Sequence, residues 1–157
     1  MHRLHLISFL SLLKLTISLY FYPDPNTALS QLCKGNPGPD IADFQDMLRH
    51  PDVNVSSNSS NTGWTCLHWT ARRDRADVMD LLMTSKTFDV GNVNTAATNN
   101  RETPLHMAAY KGSTSAAMRL LAAGASRDVL TAGGETPADM ARSQGHDVLA
   151  DTIEGET

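Results

Sequence analysis

Between Arg101 and Gly124 the apolar positions form two short helical stripes. Leu105, Ala108 and Ala109 fall three and four apart, and after Gly112 the same spacing returns in Ala116, Ala117, Leu120 and Leu121. Thr103 stands where a helix N-cap is needed, with Pro104 at the first helical position, where a missing N–H costs nothing. Gly112 supplies a left-handed residue that ends the first helix, and Gly124 closes the second. So short a turn predicts an antiparallel helix pair. Such a pair cannot bury its own apolar face, so it needs neighbours of the same kind.

The pattern recurs. Thr136-Pro137-Ala138-Asp139-Met140-Ala141 restates Thr103-Pro104-Leu105-His106-Met107-Ala108 at a step of 33 residues, and Gly145 repeats Gly112. Gly63-Trp64-Thr65-Cys66-Leu67-His68 anticipates it at a step of 38, with Leu81 and Leu82 closing the second helix. A 33-residue period carrying T-P-L-H, paired alanines, glycine and paired leucines resembles the ankyrin repeat. The resemblance spans roughly residues 26 to 154 and implies an all-α solenoid of stacked helix-turn-helix repeats with hairpin loops. About four units are expected, at about 26–62, 63–100, 101–133 and 134–154, with a tail at 155–157.

Residues 1–25 form an apolar N-terminal segment outside this pattern. Met1-His2-Arg3 and the run Leu4 to Leu13 have the outline of a secretory signal, but Lys14 interrupts it and no good cleavage site follows. From Leu15 to Phe21 the alternation is that of a strand. A signal or anchor, an apolar cap over the first unit, and an unstructured extension all stay open. Pro23-Asp24-Pro25 then breaks the chain.

The first unit is degenerate. Leu29, Leu32 and Cys33 define one helix from Thr27 to Lys34, and Ile41, Phe44, Met47 and Leu48 are expected inward on a second, from about Asp40 to Arg49. The Ser/Asn-rich run Ser56 to Thr62 must be a solvated loop. Asn54-Val55-Ser56 and Asn58-Ser59-Ser60 are glycosylation sequons, which matter only in a secreted chain. In the second unit Cys66 replaces the proline, and Asp74 takes the left-handed position that Gly112 holds later. The loop Met83 to Gly91 absorbs the longer step before Asn92-Val93-Asn94 restores phase. The fourth unit reads as a C-terminal cap, expected to bury Val148, Leu149 and Ile153 with Asp147, Asp151 and Glu154 in water.

A formal net charge of −4 gives no electrostatic reason to expect nucleic acid. No Gly-rich phosphate loop, G-x-S-x-G, H-E-x-x-H or Cys-x-x-Cys occurs, so neither catalysis, nor a cofactor, nor a metal is expected. His68 and His106 occupy equivalent repeat positions, where the resemblance implies a structural imidazole bonded to backbone between units. Cys33 and Cys66 are expected as packed thiols rather than a disulfide, in keeping with a cytoplasmic or nuclear location. Met79, Met83, Met107, Met118 and Met140 fall at apolar helix positions and are expected as core filler, as is Trp69.

Function is carried by the resemblance. It implies a protein-interaction module, an adaptor or scaffold, gripping a partner protein through hairpin tips and the concave helix face. Carried over position by position, the candidate partner-binding residues are Trp64, Glu102 and Glu135 in the hairpins, and Arg72, Arg73, Tyr110, Lys111, Ser143 and Gln144 at the exposed ends of first helices. Trp64, Arg72, Arg73 and Tyr110 are residue types enriched at interfaces, which puts the expected centre at the first two clear units. Two alternatives remain: a secreted or membrane-tethered form directed by the apolar N-terminus, and a regulatory subunit or inhibitor of a partner enzyme. Membrane contact is expected only if that segment is an anchor, and no obligate oligomer is expected.

Overall fold

The computed structural model describes residues 24–35, 40–58, 62–97 and 99–155. The signal, anchor, cap and extension alternatives for residues 1–22 therefore lie outside the described residues, as do residues 36–39 and 59–61.

Eight α-helices follow in pairs among the described residues: α1 (Pro25–Lys34) with α2 (Ile41–Leu48), α3 (Cys66–Arg72) with α4 (Ala76–Met83), α5 (Pro104–Lys111) with α6 (Thr114–Ala122), and α7 (Pro137–Ser143) with α8 (Asp147–Glu154). The first helices α1, α3, α5 and α7 pack side by side in one layer, and α2, α4, α6 and α8 form a second. Each pair thus buries its apolar stripes against its neighbours, as a helical solenoid requires. The β pairing among the described residues is one isolated antiparallel bridge between Asn58 and Thr65.

Local chemistry sets the ends. The Thr103 hydroxyl accepts from the His106 N–H, Pro104 begins α5, and Gly112 ends it at φ 69°. Thr136 and Pro137 repeat this start for α7. Alanines 108, 109, 116, 117, 138, 141 and 150 are buried between helices, so that backbones approach closely around Leu105, Leu120, Leu149 and Ile153. At the other end Leu29, Phe44 and Met47 fill the space beneath α3 and α4.

Asp74 adopts the left-handed conformation expected of it, at φ 54°. The longer loop after α4 re-enters phase through a 3₁₀ turn, Val90–Asn94, that buries Val93. In the last pair Arg142 on α7 grips the Glu154 carboxylate with two N–H groups at 2.5 Å each and Asp151 at 3.3 Å. Among the described residues no helix is long and apolar enough to cross a membrane.

Four expectations are corrected. Cys33 and Cys66 form a disulfide: the last turn of α1 and the first turn of α3 face each other with Cα atoms 5.4 Å apart, within bonding range. Met118 is 52% exposed, because Ala116, Ala117 and Leu120 set the buried side of α6 and Met118 lies opposite. Val148 is 82% exposed for the same reason, as Leu149, Ala150 and Ile153 take the inner face of α8. Ile41 opens α2 and stays 40% exposed in its first turn, while Phe44 and Met47 go inward.

Candidate functional site

The first-helix layer is locked by two buried histidines before any surface is presented. His68 Nδ1 accepts from the Thr65 N–H at 3.0 Å, and His106 Nδ1 from the Thr103 N–H at 3.1 Å. A backbone N–H can only donate, so the ring proton sits on Nε2. His68 Nε2 then donates to the Glu102 carbonyl at 3.1 Å, and His106 Nε2 to the Glu135 carbonyl at 3.2 Å. Each imidazole ties its own N-cap to the hairpin of the following pair. Burial pushes His68 down to about 4 and lowers His106 as well, so both stay neutral at pH 7.

This places Glu102 and Glu135 at the hairpins with their backbones committed to the histidines. The Glu102 carbonyl also accepts from Ala97, and that of Glu135 from Thr131. Glu102 is half-buried and Glu135 exposed.

Along α3, from its hairpin side to its C-terminal end, the cations and aromatics converge. The Trp64 and Trp69 rings lie 4.5 Å apart between centroids, and Trp64 also stacks on His68 at 6.0 Å. Arg72 stands over Trp64 at 5.6 Å and over Tyr110 of the next pair at 6.0 Å, while Lys111 lies over Tyr110 at 5.4 Å. On the other flank, Arg73 and Lys34 lie over Trp69 at 5.6 and 5.9 Å. The outcome is one ribbon, Lys34 and Arg73, Trp69, Trp64, Arg72, Tyr110 and Lys111, running across α1, α3 and α5.

The two arginines do different work. Arg73 donates to the carbonyls of Cys33 and Lys34 at 2.6 and 2.5 Å, satisfying the open C-terminus of α1 from the neighbouring helix. Burial and the adjacent Arg72 charge hold it below the ordinary arginine pKa. It fastens the first pair to the second beside the disulfide. Arg72 donates no hydrogen bond to another described residue; its partners are the rings.

Ion pairing is concentrated away from the ribbon. On or beside the second helices the carboxylates meet arginines: Asp46 with Arg49, Asp77 with Arg75, Asp80 with Arg119, and Asp151 and Glu154 with Arg142. Among the described residues no carboxylate pairs with Lys34, Arg72, Arg73 or Lys111.

Ser143 and Gln144 do not join the ribbon. They are exposed at the end of α7, where Ser143 bonds back to the Met140 carbonyl and Gln144 to Ser143. Lys34 and Trp69 belong to the ribbon and were missed. Trp69 sits at a leucine position, and its half-burial follows only from the cluster. The signal for Lys34 would have been its place at the end of a first helix, equivalent to Lys111. Among the described residues no group of three His, Cys, Asp or Glu side chains could hold a metal ion.

Comparison with known proteins places this architecture. The family model described as ankyrin repeats (many copies) matches residues 91–141, and the single ankyrin repeat model matches residues 62–96. No curated protein matches the chain. Ankyrin repeats are generally non-catalytic modules that bind partner proteins. With both family models on the helix pairs that carry T-C-L-H, T-P-L-H and the interlocking histidines, the chain belongs to the ankyrin repeat family.

Proposed function

We propose that this chain is a protein-interaction module without catalysis of its own, gripping a partner protein along the exposed edge of α3 and α5. The observation that carries it is the Trp64–Arg72–Tyr110–Lys111 run, in which aromatic and arginine side chains of two successive pairs interleave at the surface. Trp, Tyr and Arg dominate binding energy where they cluster at an interface centre. Glu102 and Glu135 in the hairpins would form its polar rim. Cross-linking pull-down with the wild-type protein and with a Trp64→Ala/Tyr110→Ala variant tests this. Loss of the captured partner with the helical circular-dichroism signal intact is expected; unchanged capture would remove the ribbon from the binding surface.

A secreted or lumenal form is the second proposal, favoured by the Cys33–Cys66 disulfide. Disulfides persist in oxidising compartments and are rare in the cytosol. Asn54 and Asn58, the acceptor residues of the two sequons, are both exposed. Mass spectrometry of the protein from its own cells decides it. Glycan on either asparagine, with no thiol free to alkylate, supports this location. Two free thiols and bare asparagines would return the chain to the cytosol or nucleus.

A further inference from the structure

The ribbon carries positive charge on a chain whose formal net charge is −4. Four cations lie along it, and among the described residues none of them pairs with a carboxylate, whereas Arg49, Arg75, Arg119 and Arg142 each do. The four ribbon cations are thus left without an internal carboxylate to neutralise them. A face of that kind is complementary to a negatively charged partner. We propose that the ribbon binds an acidic protein segment in extended conformation, a partner class that presupposes the interaction role above.

Three details narrow the class. Arg72 is held over two rings with no carboxylate partner, which leaves its planar fork free to take a carboxylate. Lys34, Arg72 and Lys111 each end a first helix, on α1, α3 and α5. Packed helices lie about 10 Å apart. A chain extended as polyproline II advances about 3.1 Å per residue and returns to the same face every third residue, so acidic residues at every third position meet successive cations. The intervening positions face the edges of Trp64 and Tyr110 and suit aromatic or apolar side chains. Nucleic acid is the weaker match. Its affinity rests on the number of phosphates neutralised, and a four-cation stripe on a net-negative molecule supplies few.

The test uses the full chain, disulfide intact, and fluorescence anisotropy of three labelled probes: a twelve-residue peptide with Glu at every third position and Ser and Tyr between, the same peptide with Gln for Glu, and single-stranded oligo-dT. The Glu peptide should bind at least tenfold more tightly than the Gln peptide, and weaken several-fold as salt rises. Arg72→Glu/Lys111→Glu should weaken it at least tenfold; should that variant lose its helical signal, Arg72→Gln/Lys111→Gln takes its place. Equal binding of the two peptides, no binding of the Glu peptide, or tighter binding of oligo-dT would each overturn the proposal. The broader interaction role is read separately in the pull-down. A partner retained by Arg72→Glu/Lys111→Glu but lost by Trp64→Ala/Tyr110→Ala leaves that role standing and removes the acidic partner.

Discussion

The Asp74 carboxylate accepts a hydrogen bond from the backbone N–H of Ala116, 2.7 Å away, across the boundary between two helix pairs. Asp74 closes the turn after α3 at φ 54°, and Ala116 lies in the first turn of α6, whose own N-cap Ser113 makes no side-chain capping bond. One residue thus turns its own unit and caps a helix in the next. The two jobs separate under mutation. Asp74→Ala removes the cap and leaves a Cβ in the left-handed region, and should lower stability by about 2 kcal/mol. Asp74→Gly loses the cap but relieves the backbone, and should stay within about 1 kcal/mol of wild type. Urea denaturation of both variants checks the order, and equal losses would leave the left-handed backbone at position 74 without energetic weight.

Gly112 and Gly124 are both left-handed, at φ 69° and 88°, but only one is crowded. A Cβ on Gly112 would lie 2.6 Å from the His146 ring, whereas one on Gly124 would meet nothing within 4 Å. Gly124→Ala should therefore cost about 1 to 2 kcal/mol, the backbone term alone. Gly112→Ala should cost more and shift the His146 imidazole resonances, which a chemical-shift comparison would show.

Leu105 is fully buried in α5 at the middle of the array. Leu105→Ala should lower stability by about 2 to 5 kcal/mol. A change under about half a kcal/mol in urea denaturation would contradict its place in the core.

Reduction should act locally. The disulfide closes a 33-residue separation, for which the chain-entropy relation gives about 3 to 4 kcal/mol. In a stacked array that loss falls on the unit it fastens. Hydrogen exchange after reduction, or in Cys33→Ser/Cys66→Ser, should lose protection across α1 and α2 and keep it in α5 to α8.

Acid should act through the imidazoles first. His68 is pushed down to about 4 by burial, against an ordinary 6.5. Between those values the unfolded chain binds the proton and the folded chain does not, so stability rises with pH across the window. The contribution is complete above pH 6.5 and declines as pH falls toward 4, by at most about 3 kcal/mol. His106 is shifted in the same direction. The lowered carboxyls of Asp77 and Asp139 start from 3.8 and act only below this window. Denaturant midpoints at pH 7 and 4.5 should fall more for wild type than for His68→Gln.

The array was legible in sequence because Thr-Pro, left-handed glycines and paired alanines each dictate local geometry with little help from distant residues. The register that T-P-L-H fixes also brought Trp64, Arg72, Arg73, Tyr110 and Lys111 to one region. The first unit has no such phrase, so nothing fixed how α1 faces α3. That facing decides whether Cys33 meets Cys66, and whether Lys34 reaches Trp69. Met118 and Val148 failed for a different reason: in helices this short a single apolar residue on the wrong side barely disturbs the stripe. Arg73 had the right place for a surface residue, but only three-dimensional contact reveals that it is bound to the end of α1.

The two imidazole links all run the same way, each donor reaching forward to the next hairpin, so the stack has a polarity as definite as that of the chain itself. Asp139 stands where a third imidazole would, and its carboxylate turns back to accept from the Thr136 N–H at 3.0 Å. At pH 7 a carboxylate has no proton to pass on. A further unit grafted behind α7 and α8 would find no hand extended to it, and lengthening this array by design begins with Asp139→His.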